Sequence, residues 1–234
     1  MSIKGLVSGA LAAGFLLFAA SRADASLQIA LQEAGVNSGN VTVVGTFGDF
    51  TGGSFTGTYG DFTVTVFGGA SDNGASLSDL LQAAVSVKNN ATSGTQTLHL
   101  WVTQNNYTLP AGTKLNVEAG MGGSVNSGTM SMTGIFQGWA DNGNALFGVP
   151  GSATTGLMNA TQNGSTYDTG SGVGVFNRVG TFSLTSEANL AMSAGGTVNF
   201  SNHINLTPIP EPASMLLLGT GLLGVAMRAR RRKQ

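Results

Sequence analysis

Side chains able to do chemistry are few in this chain and widely spaced. It has no cysteine and only two histidines, His99 and His203. A thiol nucleophile is therefore excluded, and acid–base or metal chemistry would have to rest on those histidines or on carboxylates. His99 shares a strand face with Thr97, Trp101 and Thr103, while His203 lies opposite Ile204, with Ser201 and Asn205. Both read as satisfied or solvated histidines rather than as ligands or bases. A heptad, GTFGDFT at 45–51, recurs as GTYGDFT at 57–63. Its acids, Asp49 and Asp61, are the candidate calcium ligands, but calcium wants several clustered oxygens. The competing reading is a hairpin in which Phe47, Phe50, Tyr59 and Phe62 pack across strands. Trp101, Tyr107 and Trp139, set among Asn and Thr, are the candidate carbohydrate contacts; the tryptophans could equally be core residues. Thr63-x-Thr65 and Thr95-x-Thr97 each place threonines on one strand face, as a flat ice-binding surface would, and as any half-exposed strand does. No Gly-x-Ser-x-Gly elbow, Walker loop or His-Glu-x-x-His is present. The expectation is no catalytic residue, no cofactor and no enzyme; dispersed carboxylates of glycosidase type are the remaining enzymatic option.

The two ends are far more specific. Lys4 precedes an apolar stretch from Leu6 to Ala20, and Ala23-Asp24-Ala25 supplies a small-x-small cleavage pattern before Ser26. Residues 1–25 are therefore expected to be a secretory signal peptide, handled by the Sec translocon and signal peptidase. At the other end Pro210-Glu211-Pro212 precedes an apolar run, Ala213–Met227, and then Arg228, Arg230, Arg231, Arg232 and Lys233. As a helix that run would be about 22 Å long, against about 30 Å for a bilayer core. Gly219, Gly221 and Gly224 interrupt it. The basic cluster should hold the C-terminus in the cytoplasm, placing residues 26–207 across the membrane. The span is short for a permanent anchor, which is the alternative reading.

Pro-Glu-Pro, an apolar span and an Arg-rich end together resemble the PEP-CTERM sorting signal of Gram-negative bacteria. Ile209 stands where the family most often has Val. Tails of this kind are also called ice-binding-protein C-terminal domains, a label without a demonstrated activity. The resemblance covers residues 208–234 and implies recognition and processing near Pro210-Glu211-Pro212 by an exosortase, a membrane protease–transpeptidase. It also implies an inner-membrane precursor, a mature form at the cell surface or outside the cell, and an exopolysaccharide or biofilm setting.

The delivered module, residues 26–207, must hold these features without disulfides. Its cations are Lys88, Lys114 and Arg178, against nine acids, a net charge of −6. That balance argues against nucleic acid as a partner. Alternation in Asp61–Phe67, Leu98–Val102 and Val198–Leu206 predicts strands. Further strands are expected at Leu27–Glu33, Val41–Thr46, Ala83–Lys88, Lys114–Ala119, Met130–Phe136 and Thr181–Met192. Turn signals such as Asp72-Asn73-Gly74, Asp141-Asn142-Gly143 and Asn163-Gly164 separate them. One helical turn is expected at Leu77–Ala84, capped by Ser76. The predicted fold is all-β: an antiparallel β-sandwich, jelly-roll-like in one version, followed by a C-terminal transmembrane helix at 213–227. A solenoid is the runner-up. The functional expectation is an exported surface or matrix protein; a carbohydrate-binding or adhesin module and an ice-binding protein are the alternatives.

Overall fold

A computed structural model describes residues 26–48, 52–210 and 220. The predicted transmembrane helix, the signal peptide and Asp49 lie outside that set, the single position 220 excepted. Among the described residues no helix is long and apolar enough to cross a membrane. In chain order the strands are β1 (Leu27–Glu33), β2 (Thr42–Phe47), β3 (Gly53–Tyr59), β4 (Phe62–Asn73), β5 (Ser78–Asn89), β6 (Thr95–Tyr107) and β7 (Lys114–Ser127). They continue as β8 (Phe136–Asp141), β9 (Ala153–Thr154), β10 (Thr161–Asn163), β11 (Thr166–Asp168), β12 (Gly172–Asn177), β13 (Phe182–Ser193) and β14 (Thr197–Pro208).

They form two antiparallel sheets packed as a sandwich. The first runs β2-β1-β6-β13-β8-β9; the second runs β10-β11-β7-β14-β5-β4-β3, with β12 also on β7. The period-2 pattern decides which side chains face the partner sheet. Leu98, Leu100 and Val102 of β6 meet Phe62, Val64 and Val66 of β4 and Val198, Ile204 and Leu206 of β14 in one buried cluster. Burial of this apolar surface, at about 25 cal/mol per Å2, replaces the disulfide staples that a secreted domain would otherwise use.

One end of the sandwich is closed by aromatic packing. Tyr107 stacks on Phe182 with centroids 5.4 Å apart, and Phe176 meets Phe182 edge-on at 5.3 Å. The Tyr107 hydroxyl donates to the Asp79 carbonyl at 2.8 Å, tying the end of β6 to the start of β5 across the sheets. Nearby, the Ser71 hydroxyl donates to the Gln104 amide oxygen, a buried bond between the sheets.

Several expectations change. Leu77–Ala84 is not helical: from Ser78 the segment is strand β5. Its Leu77, Leu80, Leu81 and Ala84 spacing suits a helix, but β5 lies between β4 and β14 and pairs along both edges. Sheet pairing overrides a weak local propensity. Met130–Ile135 is not a continuous strand: it is held by a Met130–Met192 bridge and by single backbone bonds such as Ser131 N–H to Ala191, Gly134 turns the chain at φ +63, and regular pairing starts only at Phe136 of β8. The repeated heptads do not make one hairpin. The first copy begins within β2 of one sheet, and the second forms the β3–β4 turn of the other. Phe47 nonetheless lies against Gly45 and Gly53, and the Thr42 and Tyr59 hydroxyls meet at 2.9 Å, so β2 is stitched to β3.

Candidate functional site: the sorting junction and the outer face of the larger sheet

The last strand runs without a linker into the C-terminal motif. Thr207 pairs with Asn116 and Pro208 with Leu115 on β7. The Ile209 N–H then donates to the Lys114 carbonyl at 3.1 Å. Proline has no N–H, so in Pro208-Ile209-Pro210 only Ile209 can extend the ladder by donating, and Pro210 is exposed. Glu211, Pro212 and the basic cluster follow outside the described residues, apart from position 220. A protein-sorting family matches this stretch, residues 208–232. The chain carries a PEP-CTERM protein-sorting motif. The motif implies an exported protein processed by an exosortase. No curated protein matches the chain. The motif is thus a substrate site for another enzyme, and its first matched residue, Pro208, is the last of β14.

Of the candidate carbohydrate contacts, Trp101 and Trp139 come together and Tyr107 does not join them. The two indoles stack with centroids 5.8 Å apart on the outer face of the smaller sheet, flanking Thr185 and Glu187 of β13. Trp139 is only 6% exposed, and the indole N–H of Trp101 is buried without a partner. The segment after β8 folds back on this face: the Phe147 N–H donates to the Thr103 hydroxyl, and the Ser183 hydroxyl donates to the Ala145 carbonyl. Tyr107 faces the other way and is fully buried between the sheets. The irregular end of β6, where Asn106 takes a positive φ of 62, is what hides this from a simple alternation.

An open groove lies instead on the outer face of the larger sheet. Two hollows, of about 410 and 460 Å3, meet at Gly122, Gly123 and Ser201. Outward residues along its floor are small: Gly122 of β7, Ser201 and Asn199 of β14, Ser86 and Ala84 of β5. One wall is Phe67 of β4, 59% exposed; the other is Asp168 of β11, registered against Gly122, with Ser171 and His203 beside it. Four strand spacings separate the walls, about 19 Å. The Asp168 carboxylate accepts the Gly170 N–H at 2.5 Å, and the Ser171 hydroxyl donates to Glu118 at 2.7 Å. An aromatic face, hydroxyls, an amide and a carboxylate along a shallow trough suit a hydroxyl-rich ligand. The alternation at Asp61–Phe67 already put Phe67 on the polar side of its strand, the one signal for this groove in the sequence.

Of the remaining candidates, His99 and Asp61 each lie against a carboxylate. His99 Nδ1 lies 2.6 Å from Glu187 on the neighbouring strand. Asp61 sits beside the Gly60 turn and donates its N–H to the Glu33 carboxylate at 3.1 Å. Glu33 is held above the usual carboxylate range, chiefly by burial. Among the described residues no three His, Cys, Asp or Glu side chains gather where they could hold a metal ion. Thr63 and Thr65 register with Thr58 and Thr56 in a small threonine array, whereas Thr95 and Thr97 belong to the other sheet.

Asp72 and Asp79 are cross-strand neighbours. The Asp79 carboxyl is raised above its ordinary range, first by burial and then by the Asp72 charge, against the Asp72 N–H and His203. A carboxylate with a raised folded pKa contributes stability that is present at low pH and lost as pH rises through that pKa. Asp79→Asn should therefore raise the thermal midpoint at pH 7 by about 2 °C, with no gain near pH 3. Melting curves across that range check it; an equal gain at both pH values would contradict it.

Proposed function

We propose that this is a non-catalytic surface or matrix protein: a β-sandwich module carried out of the cell, held for a time at the inner membrane, and then transferred or released by exosortase into an exopolysaccharide or biofilm setting. The observation that carries the reading is the PEP-CTERM motif continuing the last strand.

A second reading, favoured by the groove, is that the module binds polysaccharide there. The apolar face of one sugar ring would lie on Phe67, with the hydroxyls of successive sugars along the chain bonded by Asn199, Ser201 and, at the far wall, Asp168. Pull-down of residues 26–207 with exopolysaccharide from the producing cells tests the groove reading, and fractionation of those cells tests the setting. Wild type should bind saturably, and Phe67→Ala about tenfold more weakly, equivalent to about 1.4 kcal/mol. Trp101→Ala should lose nothing beyond what its stability loss explains. Retention by no polysaccharide would sink the groove reading, and absence from the matrix fraction would sink the setting.

A further inference from the structure

Both membrane-directed segments join the sandwich at the same end, with almost no chain to spare. At the C-terminal side β14 is paired up to Pro208 and Ile209 is bonded to Lys114. Only Glu211 and Pro212 separate Pro210 from the apolar run that starts at Ala213. Whatever its conformation, that connection spans at most about 11 Å. At the N-terminal side the Ser26 N–H donates to the Asn105 side chain at 2.8 Å, and Leu27 is already paired with Gln104. Leu206 pairs with Ser78, Phe182 with Tyr107, and Tyr107 bonds Asp79, so the start of β1, the end of β6 and the end of β14 share one end of the fold.

That end is a rigid platform. The guanidinium of Arg178 donates to the carbonyls of Thr108, Pro110 and Gly180, clamping the segment between β6 and β7 to the segment between β12 and β13. From it project Val179, 77% exposed and the most exposed large apolar side chain described, with Leu77 and Ala111 also exposed. Charges of both signs lie at this end, Lys114 and Arg178 with Asp72, Asp79 and Asp141.

We infer that in the tethered precursor this end of the sandwich lies against the lipid surface of the bilayer, with Val179 and the 108–113 segment at the headgroups. A tether of about 11 Å is shorter than the sandwich is wide, so the module cannot tumble freely away from the bilayer. The inference rests on the tail entering the membrane, as the sorting reading requires.

The absence of cysteine makes the test direct. Full-length Val179→Cys, Ala111→Cys and Ser93→Cys, the last at the opposite end between β5 and β6, are labelled with an environment-sensitive fluorophore. Each is reconstituted in vesicles of phosphatidylethanolamine and phosphatidylglycerol that contain a headgroup-linked quencher. Flotation with the vesicles is measured first. Labels at 179 and 111 should be quenched several-fold more than the label at 93. Equal quenching in chains that float would overturn the orientation and leave the sorting reading intact. Chains that do not float would overturn both. If protection of position 179 requires added exosortase, the surface contacts that enzyme, and lipid contact is refuted.

Discussion

Replacing Arg228, Arg230, Arg231, Arg232 and Lys233 together by glutamine should reduce the processed, surface-delivered form by about tenfold. The apolar run preceding them is about 22 Å long as a helix, while the hydrocarbon core is about 30 Å. Such a span is held in place largely by what flanks it. Basic residues fix the cytoplasmic side and lengthen the effective span by snorkelling. Without them the tail has neither an orientation signal nor a cytoplasmic anchor, and Pro210-Glu211-Pro212 is no longer held where a membrane protease can reach it. Pulse-chase with fractionation, followed with an antibody to the module, reads the outcome. Unchanged processing would show that the motif alone is recognised. The module itself should stay folded, because β14 ends at Pro208.

Phe182→Ala should be the most damaging single substitution in the module, costing about 3–5 kcal/mol. Phe182 is fully buried, stacked on Tyr107, edge-on to Phe176, with the Arg178 guanidinium 5.4 Å from its ring centroid. Removing it empties the closed end of the sandwich and loosens Arg178, which clamps the two segments there. A domain of this size is stable by about 5–15 kcal/mol, so about a fifth of that margin or more would go. The thermal midpoint should fall by about 10 °C, measured by circular dichroism on the tail-less form. A fall of only a degree or two would mean that the cluster repacks. Phe67→Ala, on the outer face, should leave the midpoint nearly unchanged, which separates the binding effect of that variant from a folding effect.

The parts of the fold legible in the sequence are those where large apolar residues recur at every second position. Leu27–Glu33 is readable to the residue, and β13 and β14 nearly so, because large apolar side chains are spaced there by Gln in β1 and by Ser, Thr and Asn in β13 and β14. Where both faces are partly covered the pattern fades. The run from Leu77 reads as helical until pairing partners on both edges are known. Strand β3 alternates Phe and Gly with Ser and Thr, and its pairing with β4 becomes visible only in register.

The outer-face groove was harder to read, because its floor is defined by side chains that are missing. Gly120 and Gly122 look like bends in the sequence, yet they lie inside β7. They open the trough only because β11, more than 40 residues later, pairs beside them and brings Asp168 alongside. Trp101 and Trp139 posed the opposite problem. Large aromatics among polar residues suggest a contact face, but the chain between β8 and β9 folds over it. The sorting motif needed no such context, since its proline, apolar and basic parts are contiguous in sequence.

Mass spectrometry of the C-terminal peptide of surface-released protein shows whether exosortase removes the tail. Processing by exosortase predicts a mature C-terminus at or near Pro212, with the apolar run and basic cluster absent. Recovery of an intact Arg230–Gln234 terminus in the surface form would contradict it.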